Sequence, residues 1–362
     1  MKARLLLEDG TLLVGESFGA EGIKAGEVVF NTSMSGYQEI LTDPSNCGQI
    51  IVMTCPLIGN CGMTRYDFES LRPHAHGLLV REYAGYASNW QKEKTLGSFL
   101  KEYGLIGISG IDTRMLTRKI RMHGTMKGII TTGQESLKEL NEQMKAPLMR
   151  DQVARVSTKS IHISPNKGKR VVLVDFGAKH NIQRRLVERN CEVITVPYNT
   201  TAEEIFRLFP DGVLLSGGPG NPKDVPEAIH MIKQLIGKIP IFGIGLGHQL
   251  MALGCGADTE KMKYGHRGNQ PVKELKTGRL MITSQNHGYL VKEESIKGTE
   301  LVITHISQND RTVEGLQHRS FPCFSVQFHP ESAPGPRDAE TLFDCFYQQM
   351  EDFAYKGETT HA

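Results

Sequence analysis

Ile239-Pro240-Ile241-Phe242-Gly243-Ile244-Gly245-Leu246-Gly247-His248-Gln249-Leu250 is the stretch that decides how this chain of 362 residues folds. An apolar, β-rich run ends in glycines at every second position, and a helical pattern, His248-Gln249-Leu250-Met251-Ala252-Leu253, follows. That is a strand entering a sharp turn and leaving as a helix. Such a turn is a nucleophile elbow when its central residue carries the attacking atom. It holds that residue at strained backbone angles and requires small neighbours. The helix aims its free N–H groups and positive dipole end at the same point, which suits a thiolate and an oxyanion. The central residue here is Gly245, which has no nucleophile to offer.

Around the elbow the pattern alternates. Strands are predicted at 171–176, 192–197, 212–215 and 240–244, with helices at 181–189, 202–208 and 226–236 between them. Alternation of this kind predicts an α/β domain with a mostly parallel sheet flanked by helices on both faces. Ligands of such sheets bind beyond the carboxyl ends of the strands. The loops 216–222 and 243–249 both lie at those ends. The amino-terminal part reads differently, as a β-rich domain with mixed α/β elements. Runs 3–7 and 12–15 flank Glu8-Asp9-Gly10-Thr11, a hairpin signal. A strand in 26–45 runs into small polar residues, with a turn at Asp43-Pro44-Ser45, and another β-rich run covers 49–54. Residues 110–121 form a basic amphipathic helix capped by Asp112 or Thr113, with Met115, Leu116 and Ile120 facing inward. Periodicity fades between 146 and 169, so the expected division is a domain 1–145, a linker 146–169 and a domain 170–362.

Composition excludes several classes. The length suits two domains with a core each. A net charge of +2 argues against an electrostatic nucleic-acid binder. The segment 239–257 is nearly uncharged, but its glycines, Pro240, His248 and Gln249 suit a buried strand and helix rather than a membrane span. No signal-like stretch follows Met1, and the seven cysteines have neither framework nor metal spacing, so a reducing cytoplasmic setting is expected. No His-Glu-x-x-His or paired-cysteine pattern predicts a metal site.

Three further motifs carry chemistry. Phe328-His329-Pro330-Glu331 follows an apolar run, 323–328, and offers a base, His329, with Glu331 two residues on to fix its tautomer. Leu215-Ser216-Gly217-Gly218-Pro219-Gly220-Asn221-Pro222 is glycine-rich but lacks the Lys-Ser/Thr ending of a phosphate loop, and taken alone it is a tight turn. Gln285-Asn286-His287-Gly288-Tyr289 follows a β-run and taken alone is also a turn.

With cysteine at its centre, G-I-C-L-G-H-Q is the elbow of class I glutamine amidotransferases. The whole chain resembles the carbamoyl phosphate synthase small-subunit family through F-N-T-S-M-S-G-Y-Q-E-I-L-T-D-P-S (30–45) and G-I-D-T-R-M-L-T-R-K-I-R (110–121). These passages disfavour another class I amidotransferase or a γ-glutamyl hydrolase. The resemblance implies a triad of the Gly245 position, His329 and Glu331. It assigns glutamine binding to Ser45, Gly218, Gly220, Leu246, Gln249, Asn286, Gly288 and Tyr289, with Gly220 and Leu246 as N–H sources for the oxyanion. It implies L-glutamine as ligand and a large subunit as partner, docked on the amino-terminal domain. That subunit carries ATP and divalent metal, with no cofactor on this chain, and makes carbamoyl phosphate for arginine and pyrimidine synthesis. Gly245 predicts a preserved fold and an impaired glutaminase step, since none of the cysteines, Cys255 included, lies in a motif that replaces the missing sulfur. The alternative is a non-catalytic glutamine-binding subunit of an ammonia-dependent synthase.

Overall fold

Seven short strands curl into a closed barrel in the first of two units, Met1–Arg150; the second begins at Asp151. The structure, a computed structural model, describes residues 1–360. Around the barrel the strands run Lys2–Leu7, Leu12–Gly19, Ile106–Ser109, Gly77–Leu79, Gln49–Met53, Ile23–Asn31 and Met126–Thr131, which closes on the first. Asp9-Gly10 makes the expected hairpin, with Gly10 at φ 84° and the Leu7 N–H 2.9 Å from the Thr11 carbonyl. The second strand of that hairpin runs on to Gly19, beyond the expected end at 15.

The stretch 30–45 holds more structure than the sequence suggested. Gly36, at φ 76°, turns the chain into a helix, Tyr37–Thr42. The Asp43 carboxylate then accepts the Ser45 N–H at 2.9 Å and starts a 3-10 turn, Pro44–Asn46. The segment is pinned from inside: Asn46 Nδ2 donates to the Ile40 carbonyl at 2.7 Å, and the Glu69 N–H donates to Thr42 Oγ1 at 3.0 Å. The basic helix, Thr113–His123, is capped by Asp112, whose Oδ1 accepts the Met115 N–H at 2.8 Å. Leu116 and Ile120 are fully buried, whereas Met115, expected inward, is 36% exposed. Thr113, Leu116 and Ile120 already form the stripe at helical spacing, and Met115 lies about 100° round from it.

The segment 146–169, expected as a linker, carries elements of its own. Gln152–Val156 is a short helix, and His162–Ser164 is an edge strand paired antiparallel with Glu192–Pro197. The sequence signal was weak because the edge strand is three residues long and mostly exposed.

The second unit is built on a ten-stranded sheet. Five strands run parallel in the order Glu192–Pro197, Arg170–Asp175, Gly212–Leu215, Ile241–Ile244 and Cys323–Val326. Their residues alternate between two buried layers, as period-two geometry requires. Val172, Val174, Val213, Leu215 and Ile241 pack with Ala228, Ile232, Leu250 and Met251 of the helices Pro226–Leu235 and Leu246–Gly254. On the other face Val171, Leu173, Leu214, Phe242 and Ile244 pack with Ile182 and Leu186 of the helix His180–Glu188 and with Phe343 and Phe346. Beyond Cys323–Val326 the sheet continues antiparallel through Val313–His318, Leu301–Ser307, Thr259–Glu274 and Leu280–Val291. No helix is long and apolar enough to cross a membrane among the described residues.

Candidate functional site

Gly245 stands between the strand Ile241–Ile244 and the helix Leu246–Gly254, at φ 55° and ψ −110°. L side chains strongly disfavour those angles, and the strain is the elbow's signature. Its N–H donates to the Val326 carbonyl at 2.9 Å, and the Gly247 N–H donates to the Ser216 carbonyl at 3.0 Å, so both neighbouring strands hold the turn. The three elbow glycines are not equivalent. A Cβ on Gly247 would lie 2.3 Å from the Leu215 carbonyl oxygen, and one on Gly243 2.8 Å from the Gly247 carbonyl oxygen. A Cβ on Gly245 would meet nothing closer than Gly217 Cα at 3.5 Å and would lie 3.9 Å from His329 Cε1. The central position alone has room for a side chain, and that side chain would face the histidine.

His329 follows the neighbouring strand Cys323–Val326 and is itself bridged to Ser284, its N–H 2.9 Å from the Ser284 carbonyl. Its Nδ1 donates to Glu331 Oε1 at 2.7 Å. That bond leaves the Nε2 lone pair free to act as a base. Glu331 is wholly buried. Burial acts to raise its pKa, but the charge of Lys179 and the hydrogen bond from His329 outweigh it and hold the carboxyl down at about 2. Lys179 Nζ lies 3.3 Å from Glu331 Oε1, is almost completely buried, and also donates to the Ser332 carbonyl. Asn181 Nδ2 donates to the Glu331 carbonyl at 2.5 Å. The sequence reading passed over Lys179. It leaves the strand Arg170–Asp175 where Asp175 Oδ1 collects the N–H groups of Gly177 (2.9 Å) and Ala178 (2.7 Å), a turn that tucks the lysine inward. A lysine just past the carboxyl end of a parallel strand was the available signal.

The loop after Gly212–Leu215 lies against the elbow. A Cβ on Gly217 would approach His329 Cε1 to 3.2 Å, and one on Gly218 would fall 2.3 Å from the Phe176 carbonyl and 3.0 Å from Leu246 Cδ2. Gly220 turns the chain at φ 86°. The N–H groups of Gly220 and Leu246 donate to no acceptor among the described residues, which leaves them available to an oxyanion.

Gln249, on the elbow helix, joins the long strand Leu280–Val291 to the site: its Nε2 donates to the Tyr289 carbonyl at 2.8 Å and to Gln327 Oε1 at 2.9 Å. Asn286, Gly288 and Tyr289 lie on that strand and are half-buried. A run of buried hydrogen bonds supports it from behind. His287 Nδ1 meets the Tyr289 carbonyl at 2.8 Å and its Nε2 meets Gln285 Oε1 at 2.9 Å. Gln285 Nε2 donates to Glu314 Oε2 at 2.9 Å. His266 sits 2.8 Å from Asp310 Oδ2 and 3.3 Å from Glu314 Oε1. Burial would lower the His266 pKa, but the hydrogen bond to Asp310 and the nearby carboxylates of Glu314 and Asp310 prevail and push it up to about 9. His266, His287 and Glu314 bring ligand-type atoms within 4.8 Å of one another, though they come from three strands and show no spacing in the sequence. Both ring nitrogens of His287 and Oε2 of Glu314 are engaged in the contacts just described, whereas His266 Nδ1 lies 3.3 Å from Glu314 Oε1 without forming a hydrogen bond.

Of the expected residues, the second unit thus gathers Gly218, Gly220, Gly245, Leu246, Gln249, Asn286, Gly288, Tyr289, His329 and Glu331 at the carboxyl ends of adjacent strands and along one neighbouring strand. Ser45 lies in the first unit, buried in its 3-10 turn. No cysteine of the second unit is prepared as a thiolate: burial pushes Cys191 and Cys255 up to about 11, Cys323 up to about 12, and Cys345 upward. The arrangement offers an oriented base, two backbone N–H groups with no acceptor among the described residues, and room beside Gly245 for a side chain that glycine does not have.

The family described as Glutamine amidotransferase class-I matches residues 172–349, and that described as Carbamoyl-phosphate synthase small chain, CPSase domain, matches residues 5–130. The carbamoyl phosphate synthase small chain of Bacillus caldolyticus is 59% identical over 364 residues, 100% of both chains. The pyrimidine-specific small chain of Halalkalibacterium halodurans is 56% identical, covering 99% of this chain and 100% of its own. That of Bacillus subtilis is also 56% identical, covering 99% and 98%.

Proposed function

The chain belongs to the carbamoyl phosphate synthase small-chain family, and from that premise we propose that it binds L-glutamine at the elbow without hydrolysing it efficiently. In an intact site, a thiolate attacks the amide carbon, His329 takes and returns the proton, and backbone N–H groups hold the oxyanion. Here Glu331, His329 and the N–H groups of Gly220 and Leu246 stand ready, while position 245 supplies no sulfur. Water assisted by His329 is the remaining nucleophile, and it is slow. Asn286, Gly288, Tyr289 and Gln249, all in the second unit, are the residues assigned to hold glutamine. The reading includes a large-subunit partner, which carries ATP and divalent metal, in a cytoplasmic assembly making carbamoyl phosphate for arginine or pyrimidine synthesis.

The observation that carries this reading is the free space at Gly245 facing His329, in a site whose other parts are kept. It equally favours the second reading, a glutamine-binding subunit that steadies an ammonia-dependent synthase without supplying ammonia. Calorimetry with glutamine, together with ammonia release by this chain and by its Gly245→Cys variant, tests the proposal. Binding by both and turnover only by the variant is expected. Equal turnover would overturn the account of the elbow, and absence of binding would overturn the account of the pocket.

A further inference from the structure

The room left at Gly245 is a feature in its own right. A side-chain atom there would touch Gly217 Cα at 3.5 Å, the Gln327 carbonyl at 3.8 Å and His329 Cε1 at 3.9 Å, all ordinary contact distances. Gaps left by missing side chains in rigid surroundings accept small molecules of matching shape. This gap also has polarity. It lies at the start of the nine-residue helix Leu246–Gly254, whose dipole favours an anion, and beside the unengaged N–H of Leu246. A buried base, His329, faces it with Nδ1 committed to Glu331. Resting on the proposed glutamine site, we propose a further activity: the gap binds a small thiolate, hydrosulfide in its simplest form, which attacks bound glutamine in place of the missing side chain.

The step balances without oxidant or reductant. Hydrosulfide sulfur bonds to the glutamine amide carbon, and the carbonyl oxygen becomes an oxyanion against the N–H groups of Leu246 and Gly220. The S–H proton passes to His329 Nε2. The carbon–nitrogen bond breaks, and His329 returns the proton to the leaving nitrogen. Hydrosulfide and glutamine thus give γ-thioglutamate and ammonia. Because the thioacid is not tethered to the protein, it leaves, and water converts it to glutamate outside the site. Holding both reactants in register supplies the rate, since well-oriented pairs react as though at very high concentration.

The full chain is incubated with glutamine and sodium hydrosulfide, and ammonia and γ-thioglutamate are measured, with glutamine binding followed separately by calorimetry. The expected result is a saturable rise in ammonia release of at least about tenfold over the sulfide-free rate. Gly245→Ala, which fills the gap, and His329→Asn, which removes the base, each abolish the rise while still binding glutamine. Gly245→Cys releases ammonia without sulfide and gains nothing from it. A bulkier thiol, 2-mercaptoethanol, gives no rise. Glutamine binding with no sulfide-dependent release overturns this inference and leaves the proposed function standing; no glutamine binding overturns both. A rise that survives in His329→Asn, or one matched by 2-mercaptoethanol, also overturns it, because attack would then come from outside the gap.

Discussion

Glu331 makes a depressed carboxylate out of a buried one only because Lys179 and His329 stand against it. Removing its charge takes away the carboxylate that lies 3.3 Å from the buried Lys179 Nζ and frees His329 from its tautomer. Glu331→Gln should therefore destabilise the second unit by about 3 kcal/mol, the scale for breaking a buried pair, as measured by urea unfolding. In a Gly245→Cys background it should also lower glutamine turnover by on the order of a hundredfold or more. The pH dependence has a definite sign. With a folded pKa near 2 against an ordinary 4.5, Glu331 contributes stability in full above about 4.5, lost as pH falls through 2. His266 works the other way: raised from 6.5 to about 9, its contribution is complete below 6.5 and disappears as pH rises through 9. Asp310, Glu314, His287 and the buried Arg267 are the charged or titratable groups around it. Unfolding of the unaltered chain and of His266→Gln at pH 6.5 and 10 should show a difference of about 2–3 kcal/mol at the lower pH that shrinks at the higher.

At the scale of elements, the elbow is the unit that must stay rigid. Gly247→Ala would drive a methyl group into the Leu215 carbonyl, at 2.3 Å, and should destabilise by about 3 kcal/mol or more, read as a fall in melting temperature. Gly245→Ala meets no such obstacle; its backbone angles alone should make it destabilising by about 1–2 kcal/mol. The contrast between these two variants separates close packing from conformational strain. The strand–elbow–helix was legible because apolar runs, glycine spacing and helical period all agreed over twelve residues. So were the capped basic helix and the Asp-Gly hairpin. The helix Tyr37–Thr42 was not, because its six residues are nearly all buried and so show no amphipathic period. The edge strand His162–Ser164 escaped because three residues, two of them exposed, carry too little pattern.

For the whole molecule, the fold class of each unit followed from local pattern, but contacts between distant strands did not. Lys179 reaches Glu331 across 152 positions, and His266, Glu314 and His287 meet from separate strands; no spacing rule announces such meetings. Motifs led to the elbow, His329 and Glu331, while the packing that makes position 245 the roomy one of the three elbow glycines appears once Leu215, Gly217 and Ser216 are placed beside it. The central claim concerns the room at position 245 beside His329. The most direct test is carbamoyl phosphate synthesis by this chain reconstituted with its large subunit, with ammonia and glutamine supplied in turn. Synthesis from ammonia, little or none from glutamine, and recovery of glutamine-driven synthesis by Gly245→Cys is the result this account predicts. Glutamine-driven synthesis by the unaltered chain at the rate of the cysteine variant would contradict it.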